Sequence, residues 1–104
     1  MLEASHFVGS LEQQGYDKIR KALVGSVLEK TLLELGIYYK VNDELKKRYH
    51  CRLDDCYERP EYLSVILKDV YGNHYKTMIK PIYKQLEEFS YHEQIAIFLQ
   101  IINQ

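Results

Sequence analysis

Tryptophan is absent from the 104 residues, and only two cysteines and two prolines occur. Two cysteines, Cys51 and Cys56, cannot build a disulfide framework, so the fold must rest on packing. The opening Met1-Leu2-Glu3-Ala4-Ser5-His6 has no basic segment followed by an apolar one, which excludes a secretory signal there and predicts a reducing, cytoplasmic setting. The longest apolar run, near 95–102, is broken by Gln100 and is too short to span a bilayer. Charge of one sign is missing as well. Fourteen basic and 15 acidic side chains leave a formal −1, so no global field draws in nucleic acid or an anionic membrane. Repeats, low-complexity tracts and linkers are lacking, which predicts one domain over 1–104, with 1–10 flexible.

The chain does have the makings of an ordinary core. Hydrophobic residues are 46% and charged residues 28% of the sequence, a balance that excludes wholesale disorder. Ten tyrosines are spread along it without clustering. They read as contact-edge residues, with the ring packed and the hydroxyl wet.

Helical punctuation is legible throughout. Ser10 and Gln13 have capping-box spacing, and Gly15 divides the helical segment after them, so the firm first helix is expected over 16–35. Val24, Val27, Leu28, Thr31 and Leu35 share one side of it, and Gly36 lies just past its end. Residues 37–41 have no partner strand and read as a connection or more helix. Asn42 is the expected cap of a helix over 42–50, with Asp43 and Glu44 in its first turn and Lys46, Lys47 and Arg48 near its end. A short helical turn over 54–58 stops at Arg59-Pro60, and Pro60 opens a helix over 60–71. There Leu63, Ile66, Leu67 and Val70 form an apolar stripe closed by Gly72. Asn73 caps a helix over 73–89 with the strongest apolar face, and Pro81, on its far side, predicts a bend. Ser90 and Glu93 form a second capping box before a last helix over 90–103. That helix places Tyr91, Ile95, Phe98, Leu99 and Ile102 on one face and Ile97 and Ile101 on another.

The expected fold is therefore all-α, a compact bundle of about five helices in a single domain. Its expected core is Val27, Leu28, Leu35, Leu63, Ile66, Leu67, Val70, Met78, Ile79, Ile82, Leu86, Phe89, Ile95, Phe98, Leu99 and Ile102.

Chemistry-bearing patterns are sparse. His50, Cys51, Cys56 and His74 lack the paired spacing that zinc sites use, so no metal is expected. Cys51 between His50 and Arg52 has a mildly positive setting, but no second His lies at a spacing that links to either thiol, and Cys56 follows two aspartates. Asp54, Asp55, Glu58 and Glu61 lack a calcium-loop pattern and read as caps of helix starts. Lys76, Lys80 and Lys84 repeat at every fourth residue after the tight junction at Gly72, the pattern of a helix-turn-helix recognition helix meeting phosphates. Lys68, Pro81 and the acidic Glu87 and Glu88 argue against it. Ile97 and Ile101 form a second apolar stripe, which predicts contact with another chain or a central helix.

Residues 53–63, Leu-Asp-Asp-Cys-Tyr-Glu-Arg-Pro-Glu-Tyr-Leu, followed by Leu67-Lys68-Asp69-Val70-Tyr71-Gly72, resemble a family of small helical archaeal domains, the Nitrosopumilus-type output domain. The shared pattern is an acidic short helix, then Pro-Glu, then an amphipathic helix ending in aromatic-Gly, over about 42–89. The resemblance implies an archaeal regulatory or interaction module and supplies no catalytic residues. The functional expectation is thus a non-catalytic, self-associating regulatory or protein-interaction domain, a homodimer without cofactor, small-molecule ligand or membrane contact. The alternative is a DNA-binding regulator using Lys76, Lys80 and Lys84, and a small enzyme comes third.

Overall fold

The computed structural model describes the backbone of residues 2–104 and the side chains of residues 15–104. Five α-helices succeed one another: α1 (Leu2–Glu34), α2 (Tyr38–Tyr49), α3 (Pro60–Tyr71), α4 (Tyr75–Leu86) and α5 (Glu93–Ile102). Short 3-10 segments at Leu53–Tyr57, Gly72–His74 and Glu87–Phe89 join them, and no strand occurs among the described residues. The all-α bundle of about five helices is what the sequence predicts. No described helix is long and apolar enough to cross a membrane.

Several boundaries differ from expectation. α1 does not start near residue 16 but runs unbroken through Gly15, because one glycine costs a helix only about 1 kcal/mol. The Ser10–Gln13 capping pair and the flexibility expected of 1–10 fall on Met1 and on side chains outside those described. At 33 residues α1 is about 50 Å long, against about 18 Å for the 12-residue helices. It accounts for the 55 Å long dimension of the molecule. Gly36 ends it as predicted, at φ +74°. The Gly36 N–H donates to the Leu33 carbonyl at 3.1 Å and the Ile37 N–H to the Leu32 carbonyl at 2.9 Å, while Leu32 and Ile37 both bury.

That closure is tight enough for α2 to begin at once at Tyr38, so Asn42 is a mid-helix residue and not a cap. Asp43 and Glu44 accordingly pair one turn on, with Lys47 at 2.9 Å and Arg48 at 2.8 Å. Arg48 also reaches Asp69 and so ties α2 to α3. The rings of Tyr49 and Tyr62 stack between the same two helices, 3.8 Å apart and 4° from parallel. α2 ends on His50, which takes the left-handed conformation at φ +52° that glycine usually supplies.

Pro60 opens α3 and Gly72, at φ +54°, closes it, as predicted. Asn73 does not cap α4; the 3-10 turn Gly72–His74 leads straight into Tyr75, and α4 passes through Pro81 unbroken. Ser90 does not cap α5 either. The turn at Glu87–Phe89 carries the chain past it, and His92, in extended conformation, is the residue before the helix. Tyr91 therefore points away from the core and is 77% exposed.

Leu28, Leu63, Ile66, Leu67, Ile79, Ile82, Leu86, Ile95, Phe98, Leu99 and Ile102 are buried as expected. Val27, Leu35, Val70, Met78 and Phe89 only pack against the core from its margin. Val24, Leu32, Ile37, Val41, Leu45, Leu53, Cys56 and Tyr57 complete it. The 3-10 segment Leu53–Tyr57 is the piece that locks α1 in place. A Cβ on Gly25 would lie 2.8 Å from the Cβ of Asp54, so glycine allows the two backbones to approach. Lys21 lies across this seam, 3.1 Å from Asp55 and 3.0 Å from Glu58.

Candidate functional site

The basic stripe is where the sequence puts it. Lys76, Lys80 and Lys84 are all exposed on α4, opposite the buried Ile79, Ile82 and Leu86. Among the described residues none of the three lysines is in an ion pair. They line a groove of about 520 Å³, with Tyr83 and Glu87 beside them and Asn103, just past α5, across from them. Tyr83 is 38% exposed there. Periodicity shows the stripe, whereas the groove depends on Asn103, 19 positions after Lys84, and on the return of α5 along α4. Lys68 does not join the stripe: its ammonium donates to the Gln104 carbonyl at 2.9 Å and lies over the Tyr75 ring.

The second apolar stripe also reaches the surface. Ile97 is 38% exposed and Ile101 half-buried, while Ile95, Phe98, Leu99 and Ile102 fill the core. Gln94 and Gln100 are exposed on the same helix, and no charge follows Glu93. Tyr16 and Ile19 of α1 are further exposed apolar residues, and helical periodicity alone does not mark them.

The thiols are unsuited to nucleophilic work. Burial pushes the Cys51 thiol above its ordinary range, and Asp55 and Asp54 push it the same way. The positive setting inferred from His50 and Arg52 is therefore outweighed by burial and carboxylates. Cys56 is fully buried and burial raises its thiol much further. No group of three or more His, Cys, Asp or Glu side chains among the described residues is arranged to hold a metal ion.

The acidic cluster works as structure. Asp55 accepts the Arg52 backbone N–H at 2.8 Å and so caps the 3-10 segment; this bond, followed by that from Lys21, holds its carboxyl below the usual range. Glu58 pairs with Lys21 and Glu61 with Arg59. Tyr57, buried in the same seam, donates to Asp17 at 2.7 Å and accepts from the Arg20 Nε at 3.3 Å.

A wider cleft, about 880 Å³, opens between α1, α2 and the 3-10 segment, with Ala22, Gly25 and Ser26 as its floor. Small residues at 22, 25 and 26 are the sequence signal for it. Its charged lining is largely self-satisfied, since Asp43 pairs with Lys47 and Asp54 with Arg52.

No family model, curated protein or solved structure matches the chain.

Proposed function

We propose that the protein is a non-catalytic helical interaction module that pairs with a second copy of itself through the outer face of α5. The observation that carries this reading is the partly exposed Ile97–Ile101 stripe on a helix with no charge after Glu93. A two-fold interface sets the same patch against itself, with residues near the axis meeting their own copies, so a face charged with one sign would oppose itself while an Ile/Gln face does not. Depletion of charge at the centre of a patch is also what distinguishes interface cores from ordinary surface. The raised thiols support the non-catalytic part of the reading. Two free cysteines fit a cytoplasmic setting. A regulatory role in an archaeal signalling protein is supported by the resemblance of residues 42–89 to the output-domain family.

Light scattering on the purified chain tests it. A dimer is expected, and Ile97→Lys with Ile101→Lys should convert it to a monomer without lowering the melting temperature by more than a few degrees. A strict monomer at the concentrations tested, or a dimer indifferent to the double substitution, overturns the reading.

A further inference from the structure

We propose that the groove between α4 and the end of α5 binds single-stranded nucleic acid, with Lys76, Lys80 and Lys84 on successive phosphates and Tyr83 as a stacking platform for a base. The site is separate from the proposed pairing face of α5, because Asn103 lines the groove while Ile97 and Ile101 are not among its lining residues.

Three observations meet here. First, the lysines are exposed and, among the described residues, outside every ion pair, so their charge is not already satisfied within the fold. Lys21, Lys47 and Arg48 each face a carboxylate within 3.1 Å; Lys18, Lys30 and Lys46 are outside every described ion pair too, but the three lysines of α4 repeat at every fourth residue and share one groove. The stripe is thus a local positive feature on a molecule of net charge −1. Second, the spacing suits a strand. Residues four apart on a helix advance about 6 Å, so the three ammonium groups form a row whose Cα atoms span about 12 Å. Flexible four-carbon stems let each head adjust to a phosphate along an extended backbone. Third, an aromatic ring lies in the same groove. Tyr83 is next to Lys84 in sequence and one turn from Lys80, and its ring is 38% exposed. A basic groove that tracks the backbone, with an aromatic face for the bases, is the general solution for unpaired strands.

The exposed ring beside the lysines also favours a strand over a duplex. A helix that reads a major groove must project from its domain. Here the lysines lie in a concavity lined on its far side by Asn103. An unpaired strand can follow that concavity and turn a base onto Tyr83, whereas a duplex keeps its bases stacked and paired. Glu87 lines the same groove near Lys84 and repels phosphate, which confines the strand to the two turns from Lys76 to Lys84. Three phosphate contacts then set the expected salt response, a slope of log K against log salt near −2 for a single strand.

The test is fluorescence anisotropy on the full chain with a labelled oligothymidylate of about twelve nucleotides, and with a duplex of the same length. At low salt the single strand should bind more tightly than the duplex, and its affinity should fall with salt at that slope. Lys76→Glu, Lys80→Glu and Lys84→Glu together should abolish binding while leaving the circular dichroism spectrum and the association state unchanged. Tyr83→Ala should weaken it about tenfold, and Tyr83→Phe should restore it, since stacking needs the ring and not the hydroxyl. Absence of single-strand binding at about 0.1 mM protein and low salt, the weak end of ordinary non-specific affinity, overturns the proposal. So does tighter binding to the duplex, which returns the stripe to a helix-turn-helix role. Binding to phosphatidylserine vesicles with none to the oligonucleotide overturns it too, in favour of a membrane surface.

Discussion

The hydroxyl of Tyr57 donates to the carboxylate of Asp17 at 2.7 Å, across forty positions of sequence. With Arg20 donating to the hydroxyl oxygen, the pair of bonds fixes the 3-10 segment to α1 shortly before Gly25 lets the backbones close. Tyr57→Phe removes both bonds and keeps the ring. It should cost about 1–3 kcal/mol, read by urea unfolding, since each of the two bonds has a net worth of about 0.5–1.5 kcal/mol. No loss of stability would mean that the ring alone holds the seam.

Two glycines of α1 make opposite predictions. Gly15→Ala meets nothing within 4 Å and should raise stability by about 0.5–1 kcal/mol, the helix-propensity gain. Gly25→Ala sets a methyl group 2.8 Å from the Asp54 Cβ and must push α1 and the 3-10 segment apart. It should destabilise by about 1–3 kcal/mol, the usual cost of overpacking, despite the same propensity gain. Thermal melts of the two variants beside the wild type decide both.

His50 holds a left-handed backbone at φ +52°, where a side chain carries a penalty of about 1–2 kcal/mol. No hydrogen bond or ion pair of the His50 side chain offsets that strain among the described residues. His50→Gly should therefore stabilise by up to about 1 kcal/mol, reduced by the extra freedom glycine gives the unfolded chain. Equilibrium unfolding in urea reads the difference directly.

Alkaline pH should unfold the protein early. Burial raises Cys56, Cys51 and Tyr57 above their ordinary values, so the folded chain keeps protons that the unfolded chain releases. Their contribution is complete below the unfolded values, near 9 for the thiols and 10 for the phenol, and is lost as pH rises beyond them. Stability should fall from about pH 9 upward. Cys56→Ala should make that fall shallower, whatever it does to stability at pH 7. A profile of equal slope in the two proteins would show that Cys56 ionises freely.

The bundle is legible in the sequence because its signals are local. Leu63, Ile66 and Leu67 announce their face by spacing, and Gly36 and Gly72 mark ends that the backbone then adopts at positive φ. The misreadings come from competing closures just upstream and, at Gly25, from a contact far along the chain. Asn42 looks like a cap in isolation, but closure at Gly36 lets α2 start four residues earlier. Ser90 and Glu93 have capping-box spacing, but the turn at Glu87–Phe89 delivers the chain to His92 instead. Gly25 carries no message by itself, since its reason is Asp54, which lies 29 positions away. The candidate site divides in the same way: the lysine row is periodic and visible, while the groove around it is made by α5.

The parallel rings of Tyr49 and Tyr62 give the chain a built-in optical reporter. With no indole to absorb their excitation or mask their emission, the tyrosines dominate its near-ultraviolet absorption and its fluorescence. Two phenol chromophores stacked 3.8 Å apart couple their transitions, and the coupling falls steeply as the rings separate. A part of the near-ultraviolet dichroism of this unlabelled protein should therefore track the docking of α2 on α3, and Tyr62→Leu would remove that part while leaving the contribution of the other tyrosines and the far-ultraviolet helix bands in place.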